Sequence, residues 1–405
     1  MTQNSKRFIA IDVLRGLTIA MMLIVNNPGT YSYVFSPLRH SKWAGCTPTD
    51  LVFPFFLFIV GASMFFSFSK MEQLGTKEKL QKIFRRGILI FLIGLALNAF
   101  PFYPISRNPE LTFSQNYLNY LHGIRIFGVL QRIAMCYILG AVIVLWLKKP
   151  KKIILSMILL ALGHYLILLF GGDASFPEVN GAKGVFSLLG QCSGPIDISL
   201  VGESHVYHGY GQPFDPEGLL GTLSGTCTLL LGFLSGVIIR KSKTSQMGAL
   251  RILAWGAPLI IAGLFIGIWY PICKPLWTGS FVLFTAGWSM VLLSLCIYLI
   301  DIKKRVSLLT PFRALGQNPL FCYVLAGVMV RILKRMVTWS ETIQTPEGGT
   351  LEEHWNALGW FYEKVCVPIV GTNNEISSLL YALCLVGVFI LLAMVLYKKR
   401  IIIKL

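Results

Sequence analysis

The sequence predicts an all-α, polytopic membrane protein with about ten transmembrane helices and both termini in the cytoplasm. Three observations predict this class. The 405 residues are 55% hydrophobic and only 13% charged, whereas a soluble domain carries about 25% charged residues. The apolar runs are continuous rather than alternating, which favours helices over barrel strands. The basic residues are concentrated in alternate loops, as in helical membrane proteins.

Ten apolar runs are long enough to form these helices, because each approaches the ~20 residues that cross ~30 Å of hydrocarbon. The first run contains Asp12 and Arg15 and lacks a small-residue cleavage site, so we expect it to remain attached rather than act as a signal peptide. The predicted spans are 8–27, 51–69, 86–104, 124–147, 152–170, 218–239, 249–270, 277–300, 314–336 and 376–397.

The charge distribution predicts the orientation. When loops are numbered alternately from an inside N-terminus, most of the 36 basic residues fall inside. This is the positive-inside rule, and it predicts a multi-pass protein of the cell inner membrane. The net charge of +18 then reflects topology, and we expect no nucleic-acid partner. The outside loops hold only Arg39, Lys42, Arg107, Lys183, Lys274 and Lys364.

Residues 1–405 are predicted to form a single membrane-embedded domain, since no loop is large enough for a separate soluble one. The longest outside loops, 171–217 and 337–375, are rich in Gly, Pro and acidic residues, and loops of this length often cover binding surfaces. Nine cysteines include no C-x-x-C pair, so we expect no metal site. Whether the outer cysteines form disulfides and whether the chain forms a homodimer stay open.

Polar residues gather at the predicted outer mouth between the first two helices. Asn26 ends the first helix, His40 lies in the following loop, and Asp50 opens the second helix within Thr-Pro-Thr-Asp. Asp50 suits a helix cap and His40 a solvated loop position, but together with the asparagine they indicate a site.

Arginines in the membrane interior are costly and should face a partner or a wet cavity. Arg125 and Arg132 are seven residues apart, so they share one helix face about 10 Å apart along the axis, and Gln131 flanks the deeper one. They indicate an anionic ligand, with a structural pair between Arg132 and an acid such as Asp12 as the alternative. Arg15 and Asp12 are spaced for a local ion pair.

Several long blocks of this chain resemble the heparan-α-glucosaminide N-acetyltransferase family, within the broader set of transmembrane acyltransferases. The resemblance covers essentially the whole chain, and this chain is similar to a compact bacterial member without the extra lumenal domain of the animal enzyme. The blocks are "IDVLRGLTIAMMLIVNNPG", "HSKWAGCTPTDLVFPFFLFIVG", "RIFGVLQRIA", "DPEGLLGTL" and "NPLFCYV".

The resemblance implies that acetyl moves from cytoplasmic acetyl-CoA to the amine of glucosamine, or of a glucosamine-terminated sugar, on the outer, periplasmic face. The family's active-site histidine falls on His40 and its neighbouring asparagine on Asn26, with Asn27 as a substitute.

On this view His40 is the general base, Asp50 orients it and Asn26 donates to the thioester oxygen. Acetylation of His40 itself, in a ping-pong route, stays open. Asp215 and Glu217 are predicted to hold the sugar ammonium, with a stabilising role at a helix N-terminus as the alternative. The donor would be held by Lys82, Arg85, Arg86, Arg15, Arg125, Gln131 and Arg132.

Two rival functions remain. An amino-sugar or anion transporter would also use intramembrane arginines and helices broken at proline, although no internal repeat is evident. An O-acyltransferase acting on a surface polysaccharide would keep the chemistry and change the acceptor.

Overall fold

The computed structural model describes residues 9–105, 108–344 and 350–403, and it is built mainly of helices. In chain order the helices and the two strands are α1 Ile9–Asn26, α2 Val52–Lys70, α3 Thr76–Ala99, α4 Phe113–His122, α5 Val129–Leu147, α6 Pro150–Gly171, α7 Ser193–Val201, α8 Gly221–Lys241, α9 Ser245–Ile266, α10 Gly279–Ile297, α11 Thr310–Gln317, α12 Pro319–Arg335, β1 Thr338–Gln344, β2 Thr350–Asn356, α13 Ala357–Phe361, α14 Val367–Val370 and α15 Glu375–Lys398.

In the described part of the chain, eight helical segments are long and apolar enough to cross a membrane. A ninth span is obtained if α11 and α12, which meet at an angle of 73°, are counted as one. The chain is therefore a polytopic, mainly helical membrane protein. The bend falls at Asn318-Pro319, where a proline cannot continue the preceding helix. Pro258, by contrast, lies inside the continuous helix α9.

The third predicted span, 86–104, also differs from the helix in the structure. Helix α3 begins ten residues earlier than the predicted span, at Thr76, and its first half carries several charges. Only Gly87–Ala99 is free of charge, about 20 Å at 1.5 Å per residue, which is less than the hydrocarbon thickness. The apolar run was predicted to form a complete span, whereas in the structure it is the second half of a helix whose first half is polar.

The described part of segment 337–375 contains two strands and short helices, where the sequence predicted a loop. Strands β1 and β2 pair antiparallel, with Trp339 opposite Trp355 and Ser340 opposite His354. This hairpin adds a small β element to a fold that the sequence predicted as all-α.

Helices α2 and α8 approach closely through reciprocal glycines. A Cβ on Gly61 of α2 would lie 1.8 Å from the Leu229 carbonyl oxygen of α8, and a Cβ on Gly232 of α8 would lie 1.9 Å from the Phe58 oxygen. Small residues allow such backbone contact between membrane helices. The α2–α8 pair thereby fixes the start of α2 relative to the segment that leads into α8.

Candidate active site

The loop before α2 places the predicted histidine and aspartate together. Trp43 is buried, and its indole N–H donates to the Phe186 carbonyl oxygen at 2.8 Å. The Gly45 N–H donates to the Ile272 carbonyl oxygen at 2.7 Å. These two anchors tie the loop to the outer segments before α7 and before α10, so the residues around His40 are held by distant parts of the chain.

Asp50 uses its two carboxylate oxygens differently. Oδ2 accepts from the backbone N–H groups of Ser41 at 3.0 Å and Thr47 at 3.1 Å, which closes the turn that begins the second span. Oδ1 lies 2.7 Å from His40 Nδ1. Asp50 is only 1% exposed. Asp50 therefore caps the turn through Oδ2 and contacts His40 through Oδ1.

His40 is held by Nδ1 and open at Nε2. Its side chain is 50% exposed, and Nε2 has no hydrogen bond to any residue that the structure describes. A neutral imidazole that donates from Nδ1 to a carboxylate carries its free electron pair on Nε2. The arrangement can therefore accept a proton from a molecule that reaches this end of the helices.

Lys274 is the member of this cluster that the sequence did not predict. Its Nζ lies 3.2 Å from Asp50 Oδ1 and 3.2 Å from His40 Nδ1. It arrives from the loop between α9 and α10, 234 positions from His40 in sequence. One signal was available, because Lys274 is among the few basic residues in the predicted outside loops.

Asn26 lines a cavity whose lining does not include His40, Asp50 or Lys274. This cavity has a volume of about 120 Å³ and is also lined by Lys334 and Asn356, and Asn27 donates to the Leu23 carbonyl oxygen at 3.0 Å. The structure shows no hydrogen bond between either asparagine and His40 within the described residues. The role of Asn26 as a donor to the thioester oxygen therefore stays a prediction.

Arg125, Asp215 and Glu217 were assigned to different ligands but bind one another. Arg125 donates through Nε to Asp215 Oδ2 at 2.8 Å and through Nη2 to Asp215 Oδ1 at 2.6 Å. It also pairs with the Glu217 carboxylate, and its guanidinium lies 4.8 Å from the Tyr207 ring centroid. The two carboxylates therefore share the guanidinium of Arg125.

Arg132 is 1% exposed and binds the same outer segment. Its Nη2 donates to the Pro216 and Gly218 carbonyl oxygens at 3.1 and 2.7 Å. Its Nε and Nη1 have no hydrogen-bond partner in the described chain, and the guanidinium lies over the Trp277 ring at 5.4 Å. The alternative of a direct pair with Asp12 does not occur. Neighbouring Gln131 is also buried, with an unpartnered Nε2.

Asp12 instead pairs with Arg15. Arg15 Nη1 lies 3.1 Å from Asp12 Oδ1 and donates to the Gly316 carbonyl oxygen at 2.9 Å, and Nη2 donates to Ser63 Oγ at 2.5 Å. The local ion pair that the sequence predicted is present. Arg15 also links α1 to α2 and α11.

The opposite end of the helices carries a basic cavity of about 520 Å³ between α2, α3, α5 and α8. Lys82 and Arg85 are exposed and do not line it, and Arg86 lies over the Tyr137 ring at 5.2 Å. The sequence missed this group because its members come from four separate helix ends. The charged residues that line the cavity are Glu72, Lys79, Lys148, Arg240 and Lys241.

Comparison with known proteins identifies relatives of this chain. Residues 7–176 match the family model described as "Heparan-alpha-glucosaminide N-acetyltransferase, catalytic". The Homo sapiens heparan-alpha-glucosaminide N-acetyltransferase is 28% identical over 369 residues, which cover 78% of this chain and 52% of that protein. The Mus musculus protein of the same name is 28% identical over 372 residues, covering 79% and 53%. The chain spans about half the length of these relatives.

Proposed function

Because the chain is a relative of the heparan-alpha-glucosaminide N-acetyltransferases, we propose that it is a transmembrane N-acetyltransferase. The donor is cytoplasmic acetyl-CoA. The acceptor is the amine of glucosamine, or of a glucosamine-terminated sugar, on the outer, periplasmic face. The observation that carries the proposal is the contact of His40 with the buried Asp50, because it leaves a basic nitrogen facing the outer mouth.

The reaction is an acyl transfer in which His40 manages one proton. The acceptor ammonium first releases one proton to water, and the neutral amine nitrogen then attacks the thioester carbonyl carbon. His40 Nε2 removes a second proton from that nitrogen as the C–N bond forms. The tetrahedral intermediate then expels the coenzyme A thiolate, which takes the proton from the imidazolium. Asp50 holds the ring through Nδ1 throughout, as the aspartate of a hydrolase triad does.

Two features support approach of the substrates from opposite ends. Acetyl-CoA carries several phosphates, and the basic cavity provides four cations at one end of α2. His40 and Asp50 lie at the other end of that helix. From Asp50 to Ser69 the separation is about 28 Å at 1.5 Å per residue, so the pantetheine arm must reach inward between the helices. The buried Arg132 and Gln131 have donors without a partner among the described residues, and these donors suit this path.

The acidic segment 215–217 is a proposed site for the sugar ammonium. Both of its carboxylates pair with Arg125, and Arg132 binds the carbonyl oxygens of the same segment. We therefore assign recognition of the cation to the paired cluster as a whole rather than to a free carboxylate.

The test uses the purified full chain in detergent with acetyl-CoA and glucosamine. We expect N-acetylglucosamine and free thiol in equal amounts, without a sealed compartment. We expect His40→Ala to lose at least about 100-fold in kcat, since general base catalysis contributes roughly 10²–10⁴. Glu178→Gln, an exposed change in the same outer region, is the matched control.

Two results would reject the proposal. Uptake of amino sugar into vesicles without acetylation would identify a transporter. Near-normal turnover by a correctly folded His40→Ala protein would remove His40 from the site.

A further inference from the structure

A deep apolar groove runs along the membrane-facing side of the molecule. Its volume is about 920 Å³, within the usual range for ligand sites. Helices α6 and α9 form its walls and α8 and α10 form its floor. The apolar lining includes Ile154, Ile158 and Leu162 on α6, and Leu231 and Leu234 on α8.

The groove follows the helices across the membrane rather than opening at one rim. On α9 its lining extends from Arg251 to Ile266, which is about 22 Å at 1.5 Å per residue. Trp255 near one end and Trp269 near the other are 62% and 66% exposed. Tryptophan is enriched where membrane proteins meet the headgroup layer, so the groove passes from one headgroup layer toward the other.

The chemistry of the groove is asymmetric. Lys241 at the end of α8 and Arg251 at the start of α9 line the same end. Both are exposed, and neither has an ion-pair partner in the parts of the chain that the structure describes. The charged lining of the groove consists of these two residues, so the groove joins an apolar channel to an unneutralised positive end.

We propose that this groove binds one anionic diacyl phospholipid, with its phosphate at Lys241 and Arg251 and its acyl chains against α6, α8 and α9. Basic pockets between transmembrane helices on the cytoplasmic side are the known setting for acidic headgroups. A second copy of this chain fits less well. It would bring its own basic helix ends to the same depth, where like charges repel.

The proposal concerns a surface apart from the His40 cluster and does not depend on the proposed reaction. Lys241 lines both this groove and the basic cavity, so lipid binding is measured without acetyl-CoA. The lipid would act as a wedge that holds α6 and α9 at a fixed spacing. Since α6 leads into the outer segment 172–217, occupancy of the groove would stabilise that segment as well.

The experiment measures lipid retained on the purified full chain by native mass spectrometry, without acetyl-CoA. The probes are phosphatidylglycerol and phosphatidylcholine with identical acyl chains. We expect one tightly held phosphatidylglycerol and much weaker phosphatidylcholine binding. In Lys241→Gln/Arg251→Gln we expect phosphatidylglycerol binding to weaken about tenfold or more, since each basic residue near the membrane surface contributes measurably.

Two further variants locate the lipid. Lys398→Gln/Lys399→Gln removes two exposed cations at the end of α15 and should leave binding unchanged. Ala161→Trp fills the groove and should abolish retention of phosphatidylglycerol. If the Ala161→Trp protein is not monodisperse, Ile158→Trp is used in its place.

Several outcomes would overturn the inference. Equal retention of the two lipids would remove the role of the cations. Normal phosphatidylglycerol binding by the groove-filling variants would place the lipid elsewhere. A change of oligomeric state in those variants with lipid binding intact would assign the groove to a second copy of the chain.

Discussion

At the scale of single residues, Asp50 shows how one side chain can serve both fold and chemistry. Its Oδ2 closes the turn before α2, and its Oδ1 holds His40 and Lys274. Buried carboxylates are retained only when their charge is compensated. Lys274 provides that compensation, so we propose that it positions His40 through Asp50.

Lys274 therefore gives a prediction that separates a positioning role from a merely structural one. In Lys274→Met the imidazolium form of His40 meets Asp50 without a competing ammonium, because the cation 3.2 Å from Nδ1 is gone. We expect the acidic limb of the pH profile of kcat/KM to move to higher pH. Lys274→Arg should restore most of the wild-type profile, since it keeps the charge.

The measurement is initial rate against pH with saturating acetyl-CoA. Lys183→Met, an exposed change in another outer loop, serves as control. An unaltered pH profile with only a lower maximal rate in Lys274→Met would show that Lys274 supports the loop and does not act on His40.

At the scale of elements, the segment Asp215–Gly218 is held by two arginines that share one stretch of chain. Arg125, which lies just before α5, binds the carboxylates of this segment. Arg132, which lies within α5, binds carbonyl oxygens of the same segment. The segment leads into α8, which packs on α2 through Gly61 and Gly232. The acidic cluster and the His40 cluster are thus connected to the same helix pair.

Loss of Arg125 should destabilise this connection. Arg125→Ala leaves Asp215, which is fully buried at its side chain, without its counter-charge. Breaking a buried pair in this way costs about 3 kcal/mol or more. We expect a lower apparent Tm in detergent at a fixed scan rate, with partial recovery in Arg125→Ala/Asp215→Asn.

Arg85→Ala, at an exposed position, should change stability by less than about 0.5 kcal/mol. If the two arginine variants unfold at the same temperature, the Arg125 pair contributes little and the segment is held by other contacts.

Asp197 on α7 is expected to make the stability of this part of the chain depend on pH. Burial raises the pKa of this carboxyl to about 7, and the nearby charge of Asp215 adds to the effect. Oδ1 accepts from the Leu219 N–H at 2.8 Å, while Oδ2 has no partner among the described residues. The native state therefore binds the proton more tightly than the unfolded chain, whose aspartate has a pKa near 3.9.

The sign follows from this difference in proton binding. Stability contributed by protonated Asp197 is present at low pH, declines as pH rises from about 4 to about 7, and stays low above that. We expect Asp197→Asn to flatten this part of the dependence of apparent Tm on pH. Equal pH dependence in Asp197→Asn and wild type would contradict the assignment, and Glu178→Gln is the control.

At the scale of the whole molecule, the sequence predicted the elements that depend on local pattern and missed those that depend on tertiary contact. Continuous apolar runs located most of the membrane helices, and the Thr-Pro-Thr-Asp entry indicated the start of α2. The contact of His40 with Asp50 followed from nearness in sequence and the family resemblance. Lys274, the pairing of Arg125 with Asp215, and the basic cavity all join residues far apart in the chain. The periodicity of apolar residues in the sequence does not predict contacts between such distant residues.

The basic cavity gives the last prediction, because the proposed reaction needs donor and acceptor to bind at opposite ends of α2. Lys148 and Arg240 line it from the ends of α5 and α8. Each cation that meets a phosphate forms a charge-assisted contact. We expect Lys148→Gln/Arg240→Gln to raise KM for acetyl-CoA about tenfold or more, while KM for glucosamine changes little.

Ionic strength is held constant in this measurement because salt screens such contacts. Lys398→Gln/Lys399→Gln supplies a control with the same loss of charge. An equal rise of both KM values would indicate a general loss of fold. A rise for glucosamine alone would place the sugar, rather than the coenzyme, at the basic end, and the two substrates would then approach in the opposite sense along α2.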